Sequence, residues 1–433
     1  MKNLNRLETY QEVKRNELAL YDFDQDHCVV RPCLSITLFF KHGARPYVRE
    51  GLLNILEQYL NVYGDYIIGG RAGEQRYAKK NKLGINKIKN YLLNHPANER
   101  YVDIELASAK TGFDAPEYRF SVLTCGEITE EYKDSYGQIY PKGHDSGVLS
   151  AMKMVFSIDL LADMGKFQQY QDLLNYACHQ LPIRGGYAGL SLALPDDRFR
   201  YMAQEYQIAR QFSGLDIDSN WYSYQDDYIV LSTKGSPPNQ EFYPYQYITD
   251  GQIEDIGYIK SVNWINIFPK QFFERIGDYH KILQKLQRSD INVMDLGDCV
   301  LIQAGEVPQL GSQEQGLPES YVFINKVLKY IRNPEPDSLQ PNLGRIENAN
   351  CNNTKLWLKR FDLEDEFEIT EELEQPETQD HIVKVKGGEV CIKTGYWITP
   401  AKPDTRLYFT QGAILPILSE TDWGEVYWYW NGK

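Results

Sequence analysis

Tyr258-Ile259-Lys260-Ser261-Val262-Asn263-Trp264-Ile265-Asn266-Ile267-Phe268-Pro269 is the stretch from which the fold can be read. Apolar and polar residues roughly alternate along it, the period of a half-buried strand. Pro269 closes that strand and suits the first turn of a helix. Over residues 270–288, Phe272, Phe273, Ile276, Tyr279, Leu283 and Leu286 recur at three- and four-residue steps. That spacing predicts one helical face, with Gly277 a weak spot inside the helix. A second strand is expected over 293–304, broken at the turn-like Leu296-Gly297-Asp298, before a Gly- and Pro-stiffened loop over 305–311. Nothing in this order demands catalysis.

The same order occurs twice upstream. Residues 33–40 read as a strand with Leu34, Ile36, Leu38 and Phe40 on one face. Residues 47–63 read as a helix, with Val48, Leu52, Ile55, Leu56, Tyr59 and Leu60 inward, and 66–68 as a short strand ending in Gly69-Gly70. The next copy is a strand over 154–161, a helix over 166–180 and a strand over 188–194 that follows Gly185-Gly186. Between these lie expected helices over 82–93, 197–212 and 321–331, strands over 101–106 and 118–123, and a loop over 128–147. The intervals are irregular, which excludes a solenoid. The expected fold is α+β: repeated strand-helix-strand units forming mixed or antiparallel sheets covered by helices.

Composition divides the chain further. Residues 1–30 form a polar N-terminal segment and 31–333 the α+β domain. Residues 334–381 read as a linker, first Pro-rich and then acidic, with ten acids and no Lys or Arg from Asp362 to Asp380. Residues 382–433 make a small β-rich C-terminal unit, aromatic and punctuated by glycine.

The totals exclude several classes. No apolar run approaches the ~20 residues of a membrane span. The polar start lacks the apolar core of a signal peptide, so a cytoplasmic location is expected. Seven scattered cysteines do not make a secreted disulfide framework and read as reduced, mostly buried thiols. A balance of 46 basic to 60 acidic residues argues against nucleic acid and favours a basic protein partner. Solubility alone also accounts for such a charge. Thirty-two tyrosines are consistent with an interface, because tyrosine offers area with few torsions and a polar tip.

Chemistry-bearing motifs are weak. There is no nucleophile elbow, phosphate-binding loop or zinc-protease helix, and Gly69-Gly70-Arg71-Ala72-Gly73 has the wrong spacing for a dinucleotide. His27-Cys28 with Cys33 and His42 offers four soft ligands, but Cys33 begins a core strand. His144-Asp145-Ser146 reads as a loop, since triads are assembled by the fold and not by adjacency. Asp196-Asp197 and Asp226-Asp227 sit where Asp serves turns and caps. No catalytic residue, metal site or cofactor is expected.

Four separated pieces, in order, carry a resemblance: Phe212-Ser213-Gly214-Leu215-Asp216, Val262-Asn263-Trp264, Glu274-Arg275-Ile276-Gly277, and Leu301-Ile302-Gln303-Ala304-Gly305 with Pro308-Gln309-Leu310-Gly311. Together they resemble the type VI secretion immunity protein family over roughly residues 30 to 335. Trp357-Leu358-Lys359-Arg360-Phe361-Asp362 is similar to a motif that closes many members. Cys391 to Trp397, Thr399-Pro400-Ala401, Phe409 to Gly412 and Tyr427-Trp428 resemble an appendage of bacterial toxin-immunity proteins, with departures at Tyr396 and Leu415-Pro416-Ile417. The resemblance implies a protein that binds and neutralises a cognate effector toxin. Candidate contacts are Tyr222, Tyr224, Asp226, Asp227, Tyr243, Tyr245 and Tyr247, and in the acidic run Glu364, Asp365, Glu366, Glu371, Glu372 and Glu374. Two other classes stay open: an enzyme that destroys the toxin's product, and an adaptor of the secretion apparatus.

Overall fold

The thirteen residues of Cys28–Phe40 form the central strand, and its burial on both faces organises the main unit. The structure, a computed structural model, describes residues 6–22, 27–73, 77–80, 84–95, 101–125, 132–133, 139–140, 149–219, 258–275, 277–312, 314–333, 336, 338–341, 347–362, 384–399, 406–417 and 426–430. Its chain divides into two compact units, Met1–Glu364 and Asp365–Lys433.

In the first unit the elements run α1 (Arg6–Arg15), β1 (Leu20–Tyr21), β2 (Cys28–Phe40), α2 (Pro46–Tyr63), β3 (Gly69–Ala72), β4 (Ala78–Lys79), α3 (Ile85–Asn94), β5 (Tyr101–Ala107) and β6 (Arg119–Cys125). There follow β7 (Tyr132–Lys133), β8 (Ile139–Tyr140), β9 (Ser150–Ser157), α4 (Met164–Gln180), β10 (Ile183–Ala193), α5 (Met202–Ala209) and β11 (Ile265–Pro269). The last are α6 (Tyr279–Lys285), β12 (Ile291–Asp295), β13 (Cys299–Ala304), α7 (Glu319–Leu328) and α8 (Cys351–Leu358).

Eleven strands join one sheet in the order β12-β13-β11-β10-β2-β9-β6-β5-β3-β4, with β1 paired to β2. Every ladder in it is antiparallel. This follows from the crossovers. The β9-α4-β10 unit steps over β2, and the β2-α2-β3 unit steps over β9, β6 and β5. Skipping an odd number of strands leaves each pair of neighbours opposed. The fold is α+β, as the residue pattern implies.

The two faces of the sheet differ. Leu34, Ile36, Leu38 and Phe40 join the main apolar core with Tyr59 of α2 and Phe167 and Tyr170 of α4. The Tyr170 hydroxyl donates to the Ser35 carbonyl at 3.0 Å, and Trp264 stacks on Phe167 and Tyr170 with centroids 5.6 and 6.3 Å apart. Gly51 lets α2 approach α4, since a Cβ there would stand 2.4 Å from the Gln180 carbonyl oxygen. On the other face Cys33, Val155 and Ala193 make a small separate cluster. Around it, polar and charged side chains replace apolar ones.

Several expectations need correction. The strand expected over 154–161 runs instead over Ser150–Ser157 and gives way to a 3-10 turn, Ile158–Ala162, and the helix expected over 197–212 is a 3-10 turn, Arg198–Arg200, followed by α5. The helix expected over 270–288 is two pieces, a 3-10 turn Lys270–Arg275 and α6. Gly277 breaks it with φ +130°, and Asp278 caps α6 by accepting from the Lys281 amide at 3.0 Å. The strand expected over 66–68 lies instead at Gly69–Ala72. Its glycines are needed because a Cβ on Gly70 would lie 2.1 Å from the Glu105 carbonyl oxygen. In 258–268 regular pairing begins only at Ile265; upstream, Ile259 makes one parallel bridge to Arg332.

Buried Val13 and Leu18 from the N-terminal segment, and Leu339, Gln340, Trp357 and Phe361 from the stretch read as linker, belong to this unit's interior. In the loop expected over 128–147, β7 pairs with β8; its remaining residues lie outside the described set.

The second unit carries β14 (Lys384–Lys386), β15 (Gly395–Ile398), β16 (Arg406–Phe409) and β17 (Tyr427–Trp430), in the order β14-β17-β15-β16. Trp397 and Trp428 pack with Val385, Cys391, Leu415 and Val426. Each indole N–H finds a carbonyl, Lys393 at 3.0 Å and Pro416 at 2.9 Å, as a buried tryptophan requires.

Candidate functional site

Four of the motif pieces, 212–216, 262–264, 301–311 and 357–362, lie far apart in the sequence and meet in one place. Arg360 sits over the Trp357 and Phe361 rings at 4.4 and 4.5 Å. Its Nε donates to the Ser213 carbonyl at 2.7 Å and its Nη2 to the Val262 carbonyl at 3.3 Å. The Ser213 and Gly214 amides donate to the carbonyls of Gly311 and Leu310 at 3.0 and 2.9 Å. The Trp264 indole N–H donates to the Gly305 carbonyl at 3.0 Å, and so does the Gln303 amide at 2.9 Å. Gly214 is required there, because a Cβ would fall 1.8 Å from the Gln309 carbonyl oxygen. The recognisable motif is a structural hub.

Beside this hub the polar face of the sheet holds a sealed ionic cluster. Lys153 of β9 and Lys260 are buried, as are Asp216, Asp218 and Glu205 of α5. Lys153 Nζ lies 2.8 Å from Asp218 Oδ2 and donates to the Asp218 carbonyl at 2.7 Å. Thr37 donates to Asp218 Oδ2 at 2.8 Å, and the Tyr187 hydroxyl donates to Asp218 Oδ1. Lys260 Nζ lies 2.9 Å from Asp216 Oδ2, donates to the Ile217 carbonyl at 2.7 Å and stands 4.5 Å above the Tyr187 ring centroid. Glu205 accepts from the Asp218 and Ser219 amides at 2.9 and 3.0 Å and from the Gln340 side chain at 2.7 Å.

Electrostatics in the cluster are uneven. Burial pushes the Glu205 carboxyl above its ordinary range, against the hydrogen bonds from Ser219 and the Asp218 amide. Burial also raises Asp216, more than Lys260 lowers it. At Asp218 burial acts in the same sense, but Lys153 and Lys260 together outweigh it and hold the carboxyl below its usual value. Buried charges persist when paired and hydrogen-bonded, as these are. The arrangement fixes backbone: it holds residues 216–219 and Lys260 to the sheet and to one another.

The candidate contacts Tyr222, Tyr224, Asp226, Asp227, Tyr243, Tyr245 and Tyr247 all lie outside the described residues, as do Glu364, Asp365, Glu366, Glu371, Glu372 and Glu374. Asp218 precedes the 220–257 stretch and Lys260 follows it, and both belong to the one ionic cluster. Asp362, where the acidic run begins, pairs with Arg332 at 2.6 Å and accepts from Asn325 at 2.8 Å. Sequence reading missed Lys153, Lys260, Glu205 and Asp218. A signal was present: Met152-Lys153-Met154 places a lysine in an otherwise apolar strand.

The weaker motifs do not assemble. His27 Nδ1 lies 2.7 Å from Asp114, while His42 stands beyond the far end of β2, roughly 40 Å away along the strand. Among the described residues no group of three or more His, Cys, Asp or Glu could hold a metal ion. Asp196 faces Arg71 and Asp197 faces Arg200, so these neighbours do not share a site. His144-Asp145-Ser146 lies outside the described residues. Among the described residues no helix is long and apolar enough to cross a membrane.

Comparison with known proteins agrees with the motif reading. A family model described as TsiV, type VI immunity for VRR-NUC, matches residues 52–234 and 250–361. No curated protein matches the chain. A solved structure titled Pseudomonas aeruginosa T6SS protein PA0821 shares the fold with a TM-score of 0.63 and 19% identity, covering 82% of this chain and 91% of that one. The matched segments hold the hub and most of the ionic cluster, and on that basis the chain belongs to the TsiV family of type VI immunity proteins.

Proposed function

We propose that this chain neutralises a cognate type VI effector by stoichiometric binding, acting by occupancy and not by turnover. The family match across 52–234 and 250–361 is the observation that carries the reading, and its description makes a VRR-NUC effector the expected partner. The place of action is the cytoplasm of the cell that makes the toxin. A stable pair of this kind buries on the order of 1,600 Å² in total. The net charge of −14 supports a partner with a basic surface, whose approach the field accelerates. Contact falls to the tyrosines and acids of the 220–257 stretch and to the acidic run after Asp362.

Co-expression tests this reading. Cells carrying one particular effector should survive when this chain is present, and the two proteins should co-purify in equimolar amounts. Protection at substoichiometric levels with no complex would identify an enzyme acting on the toxin's product. Association with the secretion apparatus in cells lacking the effector would identify an adaptor.

A further inference from the structure

The two ends of the large sheet differ in surface chemistry. At one end β2, β3 and β6 begin and β5, β9 and β10 finish, because neighbouring strands run in opposite directions. The described segments that meet there are 21–22 with 27, 64–68, 108–118, 158–163 and 194–200. Printed contacts join them. His27 Nδ1 lies 2.7 Å from Asp114 Oδ1, and its ring centroid is 6.4 Å from that of Phe113. The Asp22 amide donates to the His27 carbonyl at 3.0 Å, the Ala115 amide to the Cys28 carbonyl at 2.6 Å and the Asp196 amide to the Gly112 carbonyl at 3.1 Å. Tyr66 stacks on Tyr118 with centroids 4.5 Å apart.

Tyr21, Tyr66, Ile68, Phe113 and Phe199 stand on these joined segments, and each is between 40% and 56% exposed. Large apolar side chains gathered at one place on a surface mark protein contacts, whereas single scattered ones do not. Charge separates the two ends as well. The five segments carry eight acids and three bases. Lys14, Arg31 and Arg71 from adjoining elements pair with Asp159, Glu117 and Asp196, which leaves acid in excess. At the opposite end the segments 41–45, 181–182, 270–278 and 296–298 carry four bases and three acids.

We propose that the acidic, aromatic end of the sheet, centred on Phe113 and Phe199, is a docking surface for a basic face of the effector. The inference rests on the immunity reading above and gives it a surface among the described residues. Aromatic rings offer area with few torsions to freeze, so they can anchor a partner at small entropic cost. The acids around them orient a basic partner and speed its approach.

The test uses the full chain and the effector against which it protects cells in co-expression. Phe113→Arg and Phe199→Arg set like charge against the basic face. Each should weaken the complex about tenfold by calorimetry, and the two together about a hundredfold, with the thermal midpoint unchanged. Phe113→Ala and Phe199→Ala serve if an arginine disturbs the loops. Tyr47→Arg is the control, at the opposite end where α2 begins, and should leave affinity within about twofold. On binding, amide exchange over 111–118 and 197–200 should slow. Equal affinity of the parent and the double variant, unchanged exchange over those residues, or an equal loss with Tyr47→Arg would overturn the surface and leave the function standing. A parent chain that binds no effector would overturn both.

Discussion

Removing the Lys260 ammonium leaves Asp216 and Asp218 facing each other without the cation they share. Lys260→Met should therefore destabilise the first unit by about 3–5 kcal/mol, the usual cost of stranding a buried charge. Urea unfolding measures it, and adding Asp216→Asn should recover part of the loss because the two sites are coupled. An unchanged urea midpoint for the single variant would mean that the cluster holds nothing in place. Asp362 provides a pH test. Burial opposes its ionisation, yet Arg332 and Asn325 outweigh burial and depress its folded value. Its contribution is present above the unfolded value near 3.9 and is lost as pH falls through the folded one. Asp362→Asn should remove about 2 kcal/mol at neutral pH and flatten the acid limb of the stability curve. Glu205 has the opposite sign, since its raised carboxyl favours the fold at low pH and loses that advantage as pH rises through its folded value. Apart from the lysine between Met152 and Met154, the cluster left little trace in the sequence. A lysine inside a strand reads as solvent-facing until the opposite sheet face is known to be covered.

Among the elements, the strands and the long helices were readable because their periods differ. Leu34, Ile36, Leu38 and Phe40 share a face as alternation requires, and Phe167, Tyr170, Leu173, Leu174 and Ala177 are all buried as helical spacing requires. The split helix at Gly277 was not readable from spacing alone, because steps of three fit a 3-10 turn as well as an α-helix. Strand positions of glycine were misjudged for a related reason. Gly70 reads as an end signal, whereas its strand approaches Glu105 so closely that no Cβ fits. The contact between Gly214 and the 309–311 loop is tighter still. Gly214→Ala should cost about 3 kcal/mol, because the obstructing atom is a backbone carbonyl that cannot rotate away. A thermal melt of this variant checks it; a midpoint within a degree of the parent would show that the hub can open without penalty.

For the whole molecule, charge is the property with a measurable consequence. Replacing the acids of 362–380 by their amides should slow association with the effector and flatten its dependence on salt, while dissociation changes little. Stopped-flow mixing at two ionic strengths separates the outcomes, and unchanged kinetics would remove that run from the steering field. The order of the sheet could not be foreseen from the sequence. Each strand-helix-strand unit is visible locally, but how many strands a crossover skips is decided by the packing of α2 and α4 over β2. A different kind of consequence follows from Lys260 lying 2.7 Å from the Ile217 carbonyl. Ile217 and Lys260 are thereby fastened to each other, so the chain on either side of residues 220–257 is held at one point of the body. Lengthening such a segment twofold adds only about 0.6 kcal/mol of closure entropy. An insertion between these two anchors should therefore leave the folding midpoint of the scaffold nearly where it was.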